Sequence, residues 1–230
     1  RRVELPVDVV EASVAQIQGL GAGNCRAYFG GNNDGGTVCC LVQCDGDPTP
    51  HVLGCHHVIY LTQKRDDPAY GEVAGFSLAL PNQRIGPPVD LQPVGYIDAA
   101  IVPHPAAAAG DEMIDNGIPL RGWADERADM PLACRIFTPH GVVAAKGAYL
   151  GAQQVGYYHG NGTVYTFPNI FKCEFTDGAT QGGDSGSPVL DEVDRLIGMH
   201  IAGDARFSYV IPTYEILVGL PRTLTPILQL

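Results

Sequence analysis

Basic residues are scarce in this chain of 230 residues, with 14 Lys and Arg against 25 Asp and Glu and a formal net charge of −11. Because phosphate binding needs clustered Lys and Arg, this composition argues against nucleic acid or an anionic membrane as a partner. The chain also lacks an apolar run of the roughly 18 residues that span a bilayer, and its first residues lack the apolar core of a signal peptide. We therefore expect a soluble protein with no membrane partner.

A disulfide framework is also lacking, since seven cysteines cannot all pair within one chain and most of them lie in the first quarter. A reducing compartment is the simpler interpretation. Four cysteines near His56 are candidate zinc ligands, but adjacent cysteines on a strand point to opposite faces. These four are Cys39, Cys40, Cys44 and Cys55. We expect them to be buried small side chains, with no metal and no cofactor in the protein.

Glycine (29 residues) and proline (18 residues) recur along the chain and separate short apolar runs. This pattern is typical of an all-β protein. The predicted strands cover 25–29, 37–43, 51–61, 75–80, 96–102, 134–137, 141–150, 163–167, 170–175, 187–190, 196–201 and 208–211. Val10, Val14 and Ile17 follow helical spacing, which predicts a short N-terminal helix.

The apolar runs fall into two groups, which predicts two β halves of similar size. The helix belongs to an extension at 1–20, and the first β half covers 21–105. A linker of prolines, small residues and acids covers 106–125, and the second β half covers 126–230.

The strongest local pattern for chemistry is TQGGDSGSPVL, which runs from Thr180 to Leu190. A serine between glycines on a tight loop exposes its hydroxyl and lets backbone amides converge where a tetrahedral oxyanion forms. Ser185 is therefore the candidate nucleophile, and the amides of Gly183 and Ser185 are the candidate oxyanion hole. Gly183 and Gly186 permit the unusual backbone that this requires. A glycine-rich turn without chemistry is the structural alternative.

A serine hydroxyl is a poor nucleophile without a base, so the hypothesis requires a histidine and usually a carboxylate elsewhere in the chain. The segment VLGCHHVI contains His56 and His57 where a strand leads into a turn. The segment GYIDAAIV places Asp98 before an apolar strand. Because a buried aspartate is costly unless it accepts a hydrogen bond, a histidine Nδ1–H is its expected partner. Asp90 and Glu72 are weaker candidates, since neither leads into such a strand.

These three segments, in the order His, Asp, Ser, resemble the corresponding segments of chymotrypsin-fold proteases over roughly residues 21–215. VLGCHHVI is similar to the ILTNNHVI type of segment, and this alignment selects His57 over His56 as the general base. GYIDAAIV resembles the DIALL-type segment, which assigns Asp98 as the residue that orients the base. The resemblance implies two six-stranded antiparallel β-barrels with the active site in the cleft between them.

A further segment, LIGMHIAGD at 196–204, resembles the GMHVAG strand of viral 3C-like polyprotein-processing proteases of picorna-like viruses. Thr180 precedes Ser185 by five residues, as the pocket threonine of those enzymes precedes their nucleophile. The resemblance implies that Thr180 and His200 hydrogen-bond the side-chain carbonyl of Gln or Glu before the scissile bond. Ala179 stands where a pocket for basic residues would need an acid.

The same resemblance implies that the backbone of Ile201, Ala202 and Gly203 pairs with an extended substrate as an added strand. The expected partner is then a polypeptide, namely a viral polyprotein that includes the junctions flanking this chain, in the cytoplasm of an infected cell. Gln229 is a candidate self-cleavage position.

Ser185 departs from most picorna-like enzymes of this pattern, which carry cysteine at the nucleophile position. Arterivirus-type and bacterial glutamyl-endopeptidase-type relatives carry serine there naturally. Three alternatives to a viral serine endopeptidase stay open: a secreted bacterial glutamyl endopeptidase, a cysteine protease inactivated by Cys-to-Ser replacement, and a protease fold that binds a partner without catalysis. The intact triad argues against the last of these.

Overall fold

The part of the chain that can be described in three dimensions covers most of the predicted strands. A computed structural model describes residues 26–28, 35–55, 58, 98–103, 120–124, 132–149, 151, 153–156, 164–167, 169–219 and 223–226. The predicted helix within 1–20 and the predicted strand at 75–80 lie outside these residues. Within them, no helix has the length and apolar character needed to cross a membrane.

Strands dominate the described residues. In chain order they are β1 (Arg26–Tyr28), β2 (Gly35–Cys44), β3 (Asp47–Gly54), β4 (Ala100–Pro103), β5 (Gly122–Trp123), β6 (Leu132–Thr138), β7 (Gly141–Tyr149), β8 (Gln153–Gly156), β9 (Val164–Phe167), β10 (Phe171–Asp177), β11 (Pro188–Leu190), β12 (Arg195–Gly203), β13 (Phe207–Pro212) and β14 (Leu224–Pro226). A helix, α1 (Thr213–Gly219), lies between β13 and β14. This content confirms the predicted all-β fold.

The second half forms a closed barrel. Six strands pair in the order β11-β6-β7-β10-β13-β12, and β12 closes the ring by pairing with β11. In β10 the apolar Phe171 and Cys173 are buried, whereas Lys172 and Glu174 between and after them are partly exposed, as strand alternation requires. The six-stranded antiparallel barrel predicted for this half is confirmed. Outside the ring, β5 pairs in parallel with β12, and β8 pairs with β9.

The described strands of the first half form a five-stranded sheet in the order β1-β2-β3-β4, with β14 also paired to β2. Tyr28 pairs with Gly35 and Leu224 pairs with Cys44, so β1 and β14 occupy opposite ends of β2. The predicted boundaries assign β14 to the second half by sequence position, but its hydrogen bonds are made with the first sheet. The chain therefore returns to the first sheet after it has completed the barrel.

The predicted strand at 51–61 is too long. β3 ends at Gly54, and the amide of Val58 donates to the carbonyl of Cys55 at 3.1 Å in a helical turn. Apolar residues continue through this segment, so the sequence pattern alone did not mark the end of the strand.

One hydrophobic cluster joins the two halves. Its members from the first half include Val38, Cys39, Leu53, Val58 and Ile101, and its members from the second half include Phe137, Leu190, Leu196, Met199, Ile201 and Ile216. A second cluster consists of barrel residues such as Ile136, Val143, Phe171, Val189 and Val210. The shared cluster packs the first sheet against the barrel and brings the ends of β2, β3 and β4 toward the segment that contains Ser185.

Candidate active site

Two consecutive turns shape the loop that contains the predicted nucleophile. The amide of Asp184 donates to the carbonyl of Gln181 at 3.1 Å, and the amide of Ser187 donates to the carbonyl of Asp184 at 2.9 Å. Gly183 and Gly186 occupy the third position of these turns with φ of 95° and 101°. Type II turns require this left-handed backbone, which glycine adopts without steric cost. The two glycines therefore specify the shape of the loop locally.

The side chain of Asp184 also stabilises the first turn. Its Oδ2 accepts a hydrogen bond from the amide of Gln181 at 2.8 Å. Its Oδ1 lies 3.7 Å from Nε2 of His140, which belongs to the turn between β6 and β7. Burial raises the pKa of Asp184, and both of these contacts oppose that effect.

Ser185 lies in the second turn and is fully buried, so the expectation that the tight loop exposes its hydroxyl is wrong. Its Oγ donates a hydrogen bond to the carbonyl of Ile201 at 3.1 Å. The next two residues of the loop also bind β12, because the amide of Gly186 donates to the carbonyl of His200 at 2.8 Å and the amide of His200 donates to the carbonyl of Ser187 at 2.9 Å. The loop at 181–187, which we call the nucleophile loop, is thus hydrogen-bonded to β12, the predicted substrate-binding strand.

Asp98 is fully buried immediately before β4. The pairing of Gly54 with Ala100 places the end of β3 beside the start of β4, so Cys55 and Asp98 are neighbours. Burial, and after it the Asp98 carboxylate, raises the pKa of the Cys55 thiol. The Sγ of Cys55 donates to the carbonyl of His200 at 3.5 Å. A short chain of contacts therefore connects Asp98 to the strand that binds the nucleophile loop.

The predicted general base, His57, lies outside the described residues, as does His56. The residues on either side of this pair are described. Cys55 donates to the carbonyl of His200, which also accepts from the amide of Gly186. Val58 is buried against Gly36, where an added Cβ would overlap the Val58 side chain and lie 2.9 Å from the Ser185 carbonyl oxygen. Both flanking residues are thus next to the nucleophile loop.

The predicted pocket residues meet beside Gly203. A Cβ built on Gly203 would lie 2.8 Å from Oγ1 of Thr180 and 3.3 Å from Cε1 of His200. Thr180 and His200 are both buried, and Nδ1 of His200 lies 2.7 Å from Oγ of Ser208. A hydroxyl and an imidazole therefore border one small volume that a side chain at residue 203 would fill. These are polar groups that can hydrogen-bond an amide or a carboxylate.

The backbone of the predicted substrate-binding strand continues past its pairing with β11. Among the described residues, β11 pairs with β12 no further than Met199, whereas β13 pairs with β12 as far as Gly203. The register of β12 and β13 shifts between His200 and Ala202, and such bulges are common beside active sites because they redirect a side chain.

Sequence reasoning missed three residues that the structure places in this region: Thr37, Cys55 and Ser208. Ser208 contacts His200 because β12 and β13 form a hairpin. The two predicted strands at 196–201 and 208–211 could therefore have indicated this contact. No local pattern marked Thr37 or Cys55, because both meet the loop across the boundary between the two halves.

Within the residues that the structure describes, no three His, Cys, Asp or Glu side chains are grouped closely enough to hold a metal ion. The described cysteines are buried, and burial is the main cause of the raised pKa of Cys39. They are Cys39, Cys40, Cys44, Cys55, Cys134 and Cys173.

No protein-family model and no curated protein sequence matches this chain. Structural comparison aligns it with the active form of the Rv3671c protease from M. tuberculosis at 17% identity, covering 88% of this chain and 81% of that chain with a TM-score of 0.48. The HtrA-type protease AlgW with a decapeptide aligns at 14% identity over 81% of this chain and 51% of that chain, with a TM-score of 0.45. Deg5 aligns at 17% identity over 77% of this chain and 84% of that chain, with a TM-score of 0.39.

Proposed function

We propose that this chain is an endopeptidase that cleaves peptide bonds after Gln or Glu through Ser185, His57 and Asp98. The observation that carries the proposal is the convergence of three segments that are far apart in sequence. Ser185 lies on a double turn, Asp98 lies buried just before β4, and Cys55 and Val58, which flank the histidine pair in the sequence, lie near Asp98 and near the Ser185 loop respectively.

The proposed role of His57 is supported by the positions of its described neighbours in the sequence. His57 is bonded to Val58 and lies two residues from Cys55, and consecutive Cα atoms are about 3.8 Å apart. Cys55 neighbours Asp98, and Val58 and the carbonyl of Ser185 both lie beside Gly36. The described residues on either side of His57 therefore lie near Asp98 and near the Ser185 loop, which supports His57 as the base of a catalytic triad.

The proposed reaction is acyl transfer. His57 removes the proton from Ser185 Oγ as that oxygen attacks the peptide carbonyl, and the amides of Gly183 and Ser185 stabilise the resulting oxyanion. The protonated His57 then gives the proton to the leaving amine as the peptide bond breaks, which leaves an ester on Ser185. Water, deprotonated by His57, hydrolyses this ester and restores the hydroxyl. Asp98 accepts a hydrogen bond from His57 and orients the ring throughout.

Specificity for Gln or Glu rests on Thr180 and His200. The hydroxyl and the imidazole border the same volume beside Gly203, where an amide or carboxylate oxygen of the substrate accepts hydrogen bonds from them. The backbone of 201–203 pairs with the extended substrate as an added strand.

The substrate class that we propose is a viral polyprotein, cut in the cytoplasm of an infected cell. The resemblance of LIGMHIAGD to the strand of 3C-like proteases supports this class. The serine at residue 185 and His200 equally fit a secreted bacterial glutamyl endopeptidase. A preference for Glu over Gln favours the bacterial alternative, whereas a preference for Gln favours the viral one.

The test is cleavage of peptides that differ only in the residue before the scissile bond, which is Gln, Glu, Leu or Lys. We expect cleavage after Gln or Glu by the wild type and a loss of at least about 1,000-fold in kcat/KM for Ser185→Ala. Ser187→Ala is the matched control, because it makes the same change at a buried serine two positions later in the loop. It should retain activity within a few-fold. Full cleavage by Ser185→Ala, or preference for Lys, would reject the proposal.

Three further variants test the assignment of the base and separate the alternatives. His57→Ala should lose activity as severely as Ser185→Ala, whereas His56→Ala should retain most of it. Ser185→Cys that cleaves faster than the wild type would identify cysteine as the native nucleophile, since a thiol is the more nucleophilic group. A wild type and a Ser185→Cys variant that both bind peptide without cutting it would favour the non-catalytic binding module.

A further inference from the structure

Thr37, on β2 of the first sheet, donates hydrogen bonds to two backbone carbonyls of the nucleophile loop. Its amide donates to the carbonyl of Ser185 at 2.8 Å, and its Oγ1 donates to the carbonyl of Gly183 at 2.8 Å. Thr37 is 4% exposed, and a Cβ built on Gly186 would overlap its carbonyl oxygen. One residue of the first sheet therefore touches three residues of a loop that belongs to the barrel.

We propose that Thr37 is the positioning residue of the oxyanion hole, an inference that rests on the proposed function. The hole amides belong to the peptide groups 182–183 and 184–185, while the carbonyls that Thr37 holds belong to the peptide groups 183–184 and 185–186. Peptide groups whose carbonyls bind Thr37 thus alternate along the loop with peptide groups whose amides form the proposed oxyanion hole. Fixing the two carbonyls limits the rotation of the peptide group between them, which carries the amide of Ser185.

Gly183 makes this external anchor necessary. It has φ of 95°, and glycine reaches many other backbone conformations at little steric cost. Sterics alone therefore do not hold its amide in the direction that the oxyanion needs. The hydroxyl of Thr37 supplies that restraint through the Gly183 carbonyl, and electrostatic stabilisation of a transition state depends on donors that are already oriented.

The consequence is a specific kinetic signature. An oriented oxyanion hole acts on the transition state and not on the bound substrate, so a loss of orientation lowers kcat and leaves KM nearly unchanged. Thr37→Val deletes the hydroxyl but keeps the β-branched shape that suits a strand. The hydrogen bond from the amide of residue 37 to the carbonyl of Ser185 stays in place. Thr37→Ser keeps the hydroxyl.

The experiment measures kcat, KM and the affinity of a peptide aldehyde ending in the preferred residue, which forms a tetrahedral adduct with Ser185. For Thr37→Val we expect kcat to fall about 10- to 100-fold, aldehyde affinity to fall by a similar factor, and KM to stay within about three-fold. Thr37→Ser should stay close to the wild type. Thr213→Val is the matched control, because Thr213 is a buried threonine whose hydroxyl also donates to a backbone carbonyl at 2.8 Å, that of Leu196 on a different strand.

The outcomes are separable. Unchanged kcat and aldehyde affinity in Thr37→Val would overturn the inference while leaving the protease intact, and so would an equal loss in Thr213→Val. A thermal melt of each variant identifies unfolding. If Thr37→Val does not fold, Thr37→Ser decides the question. A fall in kcat of Thr37→Ser that is matched by an equal rise in its KM would also overturn the inference. A wild type that cleaves no peptide would reject the proposed function itself, and this inference with it.

Discussion

At the scale of single residues, the proposed specificity pocket contains a hydrogen bond between His200 and Ser208. Nδ1 of the ring lies 2.7 Å from the serine Oγ, and both side chains are fully buried. This contact sets the orientation of the ring and therefore the direction of its other nitrogen, Nε2. The serine is eight residues away in sequence and adjacent only through the hairpin.

We predict that Ser208→Ala weakens recognition of Gln or Glu selectively. Leaving a buried polar atom without a partner costs about 1–3 kcal/mol, so kcat/KM for the preferred peptide should fall about 10-fold, mainly through KM. A peptide with Leu at the same position should be affected less, because it makes no hydrogen bond to the ring. Ser208→Thr, which keeps a hydroxyl, should restore discrimination. Equal losses for both peptides would contradict the pocket assignment.

Asp184, in the nucleophile loop, makes the free energy of unfolding depend on pH. Burial raises its pKa above the ordinary value of about 3.8, so the folded protein holds this proton more tightly than the unfolded chain does. Between the ordinary and the raised pKa, the folded state binds more protons than the unfolded state. The contribution of Asp184 to the free energy of unfolding therefore falls as pH rises through this window.

We predict that Asp184→Asn removes this contribution, because asparagine does not titrate and its carbonyl still accepts from the amide of Gln181. The measurement is urea denaturation of both proteins at several values from about pH 4 upward. The free energy of unfolding of the wild type, minus that of the variant, should decrease with rising pH. A difference that is flat or that increases would show that this carboxyl is not destabilised by burial.

At the scale of elements, the nucleophile loop packs closely against the backbone of β2 at Gly186. Gly186 has φ of 101°, and an added Cβ would overlap the carbonyl oxygen of Thr37. We predict that Gly186→Ala lowers the free energy of unfolding by about 3–5 kcal/mol, from backbone strain together with steric overlap. The control is Gly46→Ala in the β2–β3 turn, where φ is 76° and an added Cβ meets nothing within 4 Å.

The control should lose only about 1–2 kcal/mol, because it has the strain of a left-handed backbone without the overlap. Urea denaturation of the two variants therefore separates backbone conformation from the contact between the two halves. Equal losses would mean that the loop can move away from Thr37 without cost.

Features encoded within a few residues could be predicted from the sequence. The alternation in β10 and the paired glycines around Ser185 act locally, so strand positions and the shape of the loop followed from the pattern. The helix α1 and the short strands β5, β8 and β14 were not predicted, because short elements are stabilised mainly by contacts with distant residues, as β14 is by its pairing with Cys44. Thr37 was missed for the same reason, since its role exists only when β2 meets the loop.

At the scale of the whole molecule, the end of the described chain ties the two halves together. α1 follows the last barrel strand, and β14 then pairs with β2, with Leu224 opposite Cys44. The amide of Asp45 also donates to the carbonyl of Thr223 at 3.1 Å. Leu224 joins the hydrophobic cluster that contains both first-sheet and barrel residues. This arrangement indicates that the two halves unfold together.

We predict that Leu224→Ala destabilises the barrel although the residue pairs with the first sheet. Truncating a buried leucine costs about 2–4 kcal/mol, and Leu224 is 4% exposed. The chain's single tryptophan, Trp123, lies on β5 beside β12 and packs against the shared cluster, so its fluorescence reports on the barrel. Its urea transition should shift together with the far-UV circular dichroism. Thr225→Ala, at an exposed neighbour on the same strand, should shift neither, and a Leu224→Ala variant whose tryptophan transition is unmoved would show that the halves unfold independently.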